Sequence, residues 1–146
     1  MQKLIAANWK MNKTVKEAIS FIKEFKRLIG DVRNVEIVIC PPFTLLFELK
    51  RLTKKSKIKL GAQNMHFQDS GAYTGEISAL MLKEIGCEYV ILGHSERREI
   101  GENDSLINKK VIAALNHGIK PILCIGENLE QRKNKKTKEI IENQLQ

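Results

Sequence analysis

Four short polar stretches hold residue types that bind anions or move protons: Asn8-Trp9-Lys10, Gln63-Asn64, Gly93-His94-Ser95-Glu96 and Gly126-Glu127. Lys10 would present a compact ammonium with three donors. His94, one of three histidines, carries a ring whose ordinary titration lies near neutrality. Each stretch follows directly on an apolar, strand-like run. In parallel α/β folds the strand ends all face one way, and that face holds the ligand. Side-chain alternation puts Asn8 on the face of Ala6 and Leu4, and Lys10 shares it if the chain stays extended. Plainer readings stand beside these. A lysine past a strand is usually solvated, and a lone histidine at a strand end is more often structural. Glu96 beside Arg97-Arg98 reads equally as a surface ion pair, and Cys124 as a small buried side chain.

The elements that must position these residues recur as one unit: a β-type run, a polar junction, then a helical pattern. The runs are Leu4 to Ala7, Val35 to Cys40, Ile58 to Ala62, Tyr89 to Leu92 and Ile122 to Ile125. Their starts are 31, 23, 31 and 33 residues apart, the length of a βα unit. Ile37-Val38-Ile39 and Val90-Ile91-Leu92 are apolar throughout, as strands covered on both faces are. Thr14-Val15-Lys16-Glu17 is a capping box ahead of a helix whose apolar residues follow the 3.6 period to Ile29, with Gly30 as a left-handed stop. Leu45, Leu46, Leu49 and Leu52 mark a second helix after Pro41-Pro42. Ser78 to Ile85 is a third, ending at Gly86. Asp104 caps a fourth that Gly118 stops, and a fifth spans roughly Leu129 to Leu145. Residues 1–146 read as one domain. Five alternating units fit either a doubly wound open sheet or part of a (β/α)₈ barrel.

Composition narrows the function classes. Of 146 residues, 42% are apolar and 29% charged, as in a globular chain with a real core. No apolar run approaches the roughly 18 residues of a membrane span, and the start lacks the apolar stretch of a secretory leader. Three cysteines without CxxC spacing support neither disulfides nor a zinc site, and a reducing cytoplasm is the expected home. Lys plus Arg number 25 against 17 Asp plus Glu, a net +8 that suits an anionic small substrate, nucleic acid or simple solubility. The densest run, Arg132 to Lys138, has no interleaved aromatic for base stacking and reads as a solvated helix face. There is no GxGxxG, Walker loop or HExxH. The tract from Gln63 to Ile77 is long for a connection and points to a binding or contact loop.

Ordered motifs then carry a resemblance. Ala7-Asn8-Trp9-Lys10-Met11-Asn12 resembles the first-strand motif of the triosephosphate isomerase family, and Cys40-Pro41-Pro42-Phe43 its second strand end. Gly61-Ala62-Gln63-Asn64 with Gly71 to Ser78 is similar to its third loop. Tyr89 to Arg98 resembles the fourth-strand signature, and Pro121 to Glu127 the fifth. The resemblance spans the chain in order and implies a (β/α)₈ barrel, here an incomplete one of about five units. It implies interconversion of dihydroxyacetone phosphate and glyceraldehyde 3-phosphate in glycolysis and gluconeogenesis, with no cofactor or metal. By that resemblance His94, at a helix N-terminus, is the neutral imidazole that polarises the substrate carbonyl. Lys10 holds the substrate's negative charge, Asn8 donates to the enediolate oxygen, and Glu96 supports the site. Tyr73 and Thr74 lie on a loop that inserts into a second subunit of a homodimer. Neither nucleic acid nor membrane is an expected partner.

One part of the family pattern is absent. The proton-abstracting glutamate belongs to an Ala-Tyr-Glu-Pro-Val-Trp-type motif on a sixth strand, and no such motif occurs in this sequence. The phosphate loops after strands 7 and 8 are also missing, and a barrel of roughly 250 residues leaves about 100 unaccounted for. The expectation is a truncated chain, inactive alone, with unpaired edges at its first and fifth strands and a tendency to aggregate or become partly molten. The alternatives are a non-catalytic half-barrel fragment or assembly module, and a basic doubly wound domain that binds nucleic acid.

Overall fold

Parallel strands need crossovers, and the sequence supplies a helix after each one. The computed structural model describes residues 3–146. In chain order the elements are β1 (Lys3–Asn8), α1 (Val15–Ile29), β2 (Val35–Cys40), α2 (Phe43–Thr53), β3 (Ile58–Ala62) and α3 (Ala79–Ile85). There follow β4 (Tyr89–Leu92), α4 (Ser95–Glu99), α5 (Asp104–Asn116), β5 (Lys120–Leu123), α6 (Leu129–Lys133) and α7 (Thr137–Leu145). All strand pairs are parallel, in the order β1-β2-β3-β4-β5. A doubly wound sheet reverses its strand order at a switch point, and this one does not.

Two separate cores complete the distinction. One joins the outward residues of the sheet, such as Ile39, Leu60 and Leu92, to Ile22 of α1, Leu46 and Leu49 of α2 and Leu82 of α3. The other contains Val38, Cys40, Tyr89 and Ile91, with Ile122 and Cys124 packed against them, and no helical residue. With helices on one face and strand side chains meeting on the other, the sheet is an arc of a (β/α)₈ barrel. The open-sheet alternative falls.

The inner face is graded along the strands. At their N-terminal ends it is ionic: the Tyr89 hydroxyl donates to Glu36 at 2.6 Å, and Lys59 pairs with Glu36 at 3.0 Å and Glu88 at 2.7 Å. The Tyr89 hydroxyl and the Lys59 ammonium hold the Glu36 carboxyl below its ordinary range. The apolar inner layer comes next, and the polar strand ends at Asn8, Gln63 and His94 stand beyond it.

Local punctuation is mostly as the sequence predicts, with instructive differences. Thr14 and Glu17 form the capping box of α1, and Gly30 ends it with a positive φ, though not a left-handed helical one. Ser78 caps α3, and Gly86 closes it in the left-handed conformation. The cap of α5 is Asn103, whose side chain accepts from Leu106 N–H at 2.9 Å; Asp104 is the first helical residue and is bound to Arg98. Strand β5 starts two residues earlier than its apolar run because Tyr89 and Lys120 are in register. Pro121 is tolerated in this edge strand. The single last helix is two, broken where Lys135 takes φ +57°. The basic run Arg132 to Lys138 straddles that break instead of lining one helix.

Exposure marks the open side. The alternation of β1 points Leu4, Ala6 and Asn8 inward, yet Leu4 is 45% exposed and Ile5, on the other face, 60%. An unpaired apolar edge is a template for association. The chain should therefore self-associate with rising concentration in sedimentation velocity, and Ile5→Lys should weaken that association. Concentration-independent monomer in both proteins would contradict this.

Candidate active site

The turn after β1 is built to return a cation to the sheet. The ladder between β1 and β2 extends one step further through Trp9 N–H to the Cys40 carbonyl at 3.0 Å. Trp9 is buried, edge-on to Phe21 at 5.3 Å between centroids, and Lys13 lies over both rings. Lys10 then takes φ +53°, a conformation uncommon for a non-glycine residue. Two bonds hold it there. Its N–H donates to Asn8 Oδ1 at 2.9 Å, and its carbonyl accepts from Gln63 Nε2 at 2.9 Å. The same Gln63 amide donates to the Cys40 carbonyl, so β3 pins the ends of β1 and β2. Lys10 thus reaches the inner face by a tight turn, not by the extended continuation that strand alternation suggests.

From there its ammonium meets Glu96 Oε1 at 2.8 Å, across 86 residues of chain. Donation from Lys10 holds the Glu96 carboxyl below its ordinary value. The other carboxylate oxygen of Glu96 is 3.5 Å from His94 Nδ1, and its backbone N–H donates to the same nitrogen at 3.2 Å. These two contacts favour opposite protonation of Nδ1. The backbone bond decides it, because His94 is the N-cap of α4 and its donor is fixed by the helix, whereas the carboxylate is already engaged by Lys10. A bare Nδ1 places the ring proton on Nε2.

A cavity of about 280 Å³ opens beside His94 and is lined by Ser95, Arg98, Cys124 and Glu127 among others. The Asn8 side-chain oxygen accepts from Lys10 N–H, and among the described residues its amide N–H₂ has no hydrogen-bond partner. Asn8, Lys10, His94 and Glu96 therefore gather at one strand-end face. The arginines do not pair with Glu96, as adjacency suggested: Arg97 binds Glu102 and Arg98 binds Asp104. Burial raises the Cys124 thiol and pushes Cys40 and Cys87 up to about 12, so none is a ready thiolate. Tyr73 and Thr74 stand away from this group on the exposed β3–α3 loop, where the Tyr73 ring lies 4.1 Å from that of His66. The root of that loop is anchored by the buried Lys110, which donates to Asn64 and Glu102. Among the described residues, no group of three His, Cys, Asp or Glu is placed to hold a metal ion, and no helix is long and apolar enough to cross a membrane.

Comparison with known proteins bears on this arrangement. The sequence profile of the family described as "Triosephosphate isomerase" matches residues 3–146. The chain belongs to the triosephosphate isomerase family. It is 54% identical over 99% of its length to the triosephosphate isomerase of Aquifex aeolicus, and 54% identical to that of Dictyoglomus thermophilum. The crystal structure of triosephosphate isomerase from Bartonella henselae superposes with a TM-score of 0.93 at 43% identity over 99% of this chain. The chain spans 59%, 58% and 60% of the length of these three proteins.

Sequence reasoning located the strand ends but assigned no function to Gln63 within them. Its signal was position: a long amide donor one residue past β3, level with two strand ends that need a partner. The ion pair gives the site a pH dependence whose sign follows from the lowered Glu96 carboxyl. The pair contributes above the ordinary carboxylate range and is lost as pH falls through the depressed value. A carboxyl titration by NMR should place Glu96 below 4.5, with Lys10→Gln moving it upward. An unmoved titration would break the assignment.

Proposed function

We propose that this chain supplies the carbonyl-polarising and anion-binding part of a triosephosphate isomerase centre. The substrate is a triose phosphate, dihydroxyacetone phosphate or glyceraldehyde 3-phosphate, interconverted by proton transfer through an enediolate. The observation that carries the reading is the bond from Glu96 N–H to His94 Nδ1, which commits that nitrogen as an acceptor and leaves Nε2–H as a donor. A donor of this kind, fixed before substrate arrives, stabilises an oxygen as it gains charge. Asn8 provides a second donor through its amide N–H₂, and Lys10 provides the cation against the substrate's negative charge. Glu96 is a positioning residue, holding Lys10 through its carboxylate and His94 through its backbone. Removing a hydrogen from carbon also needs a base. By family resemblance that base is a glutamate of the sixth-strand motif, which does not occur among these 146 residues. On this reading the chain polarises the substrate but does not turn it over unaided.

The test is reconstitution. The chain alone should show no isomerase activity, and mixing it with a polypeptide carrying the family's remaining three βα units should restore turnover. In that mixture His94→Gln should lower kcat by roughly 10²–10³, the loss typical of a missing oxyanion donor. Lys10→Ala should chiefly raise KM. Turnover by the unaided chain, or a mixture indifferent to both substitutions, would refute the reading. An inactive mixture would favour the non-catalytic half-barrel.

A homodimer belongs to the same reading, with Tyr73 and Thr74 docking on the strand-end face of a second copy. Their exposure at the end of a loop anchored at its root supports it, as does Met11, 95% exposed next to Lys10. Thr74→Arg in the reconstituted protein should shift sedimentation from dimer toward monomer. An unchanged dimer would remove Thr74 from the contact.

A further inference from the structure

Two consecutive arginines follow the candidate site, and the structure gives them different tasks. Arg97 is joined to Glu102 through Nε at 2.8 Å and Nη2 at 2.6 Å, fastening α4 to the loop before α5. Arg98 turns the other way, toward the sheet. Its Nε donates to the Gly93 carbonyl at 2.8 Å, Nη2 to the Cys124 carbonyl at 3.3 Å, and Nη1 to Asp104 Oδ1 at 2.5 Å. Its own backbone N–H donates to the His94 carbonyl at 3.0 Å. One residue therefore engages both carbonyls that flank the His94 α-carbon.

The surroundings explain why this matters. The β4–β5 ladder makes its last bond from Cys124 N–H to the Leu92 carbonyl at 2.8 Å. Beyond it the Gly93 carbonyl has no strand partner, and the guanidinium takes that place while also holding the Cys124 carbonyl. Gly93 sits at φ +71°, and a Cβ there would come within 2.9 Å of the Cys124 carbonyl oxygen and 3.1 Å of Arg98 Nη2. The space is closed around the bare backbone. A planar fork with separated donors can span three acceptors that lie on different segments, whereas an ammonium offers its donors from a single point.

We infer that Arg98 is a positioning residue that fixes the backbone, and through it the ring direction and tautomer, of His94 by stapling the end of β4 to β5 and to the start of α5. Asp104 is the charged anchor of that staple, so its departure from the cap of α5 acquires a purpose. The inference rests on the reading of His94 as the polarising group, and the test separates the two.

The experiment is ¹⁵N NMR of the histidine ring nitrogens in the intact chain, with the methyl signals of Val90 and Leu92 reporting on β4. The parent chain should show His94 as one tautomer, Nδ1 bare and Nε2 protonated. Arg98→Lys should lose that signature, its two nitrogen shifts moving toward the average of exchanging tautomers, while the β4 methyl signals stay in place. Asp104→Asn, which removes the anchor's charge and leaves both carbonyl contacts available, should move the shifts part of the way. Retention of the single tautomer in Arg98→Lys with β4 intact would overturn the inference. So would loss of the β4 signals in both variants, which would make Arg98 a support of the fold instead of His94. A parent chain without the Nε2–H tautomer would sink the reading of His94 itself, and the inference with it.

Discussion

A single glutamate links the two ends of this site. Glu96 receives the ammonium of Lys10 on one oxygen, and its backbone donates to the imidazole of His94, so an imidazole and a cation distant in sequence become one unit. Neither partner could be held by its own segment. Lys10 is on a tight turn with a positive φ, and α4 is a five-residue helix with no buried residue. What brings them together is the register of the parallel sheet, which aligns Asn8 with Cys40, Val90 with Ala62 and Leu92 with Leu123. A one-residue slip in any pairing would turn the inward side chains outward and separate the pair.

The energetics divide along the same axis. Burial is concentrated where the helices meet the sheet, in residues such as Ile22, Leu46, Leu49 and Leu92, and this is the source of rigidity. The strand-end face contributes little burial and many directed hydrogen bonds: Gln63 to two carbonyls, Arg98 to two more, and Gln144 of α7 to both the N–H and the carbonyl of Gly126. Each of these side chains satisfies backbone groups that the ladder leaves open where the strands diverge. A precise site on a polar face is possible because long amides and guanidinia replace the missing strand bonds.

Much of this was legible in the sequence, for identifiable reasons. The strands Val35–Cys40, Ile58–Ala62 and Tyr89–Leu92 stand out because burial on both faces demands unbroken apolar runs. The capping box at Thr14 and the stop at Gly86 are local signals that tertiary structure did not override. Periodicity could not choose between an open sheet and a barrel, since that choice lies in strand order. The break at Lys135 was hidden because a lysine at positive φ carries no sequence mark. Asn103 and not Asp104 is the cap, and the aspartate is engaged by Arg98, six residues earlier and outside the apolar pattern of α5. At the strand end, alternation puts Asn8 on the inward face, in keeping with its register opposite Cys40. It gave the wrong route for Lys10, whose left-handed turn depends on Gln63 from another strand. Glu96 beside Arg97 and Arg98 reads as a surface ion pair until the fold shows that each arginine faces another carboxylate.

The site depends on the register that carries Lys10 to Glu96, and nuclear Overhauser contacts with amide exchange in the chain test that register most directly. It predicts contacts between the ε-methylene of Lys10 and the γ-methylene of Glu96, with the Trp9 amide protected like those of β2 and β3. A Trp9 amide exchanging as fast as in an unstructured peptide, with no contact between the two side chains, would contradict it.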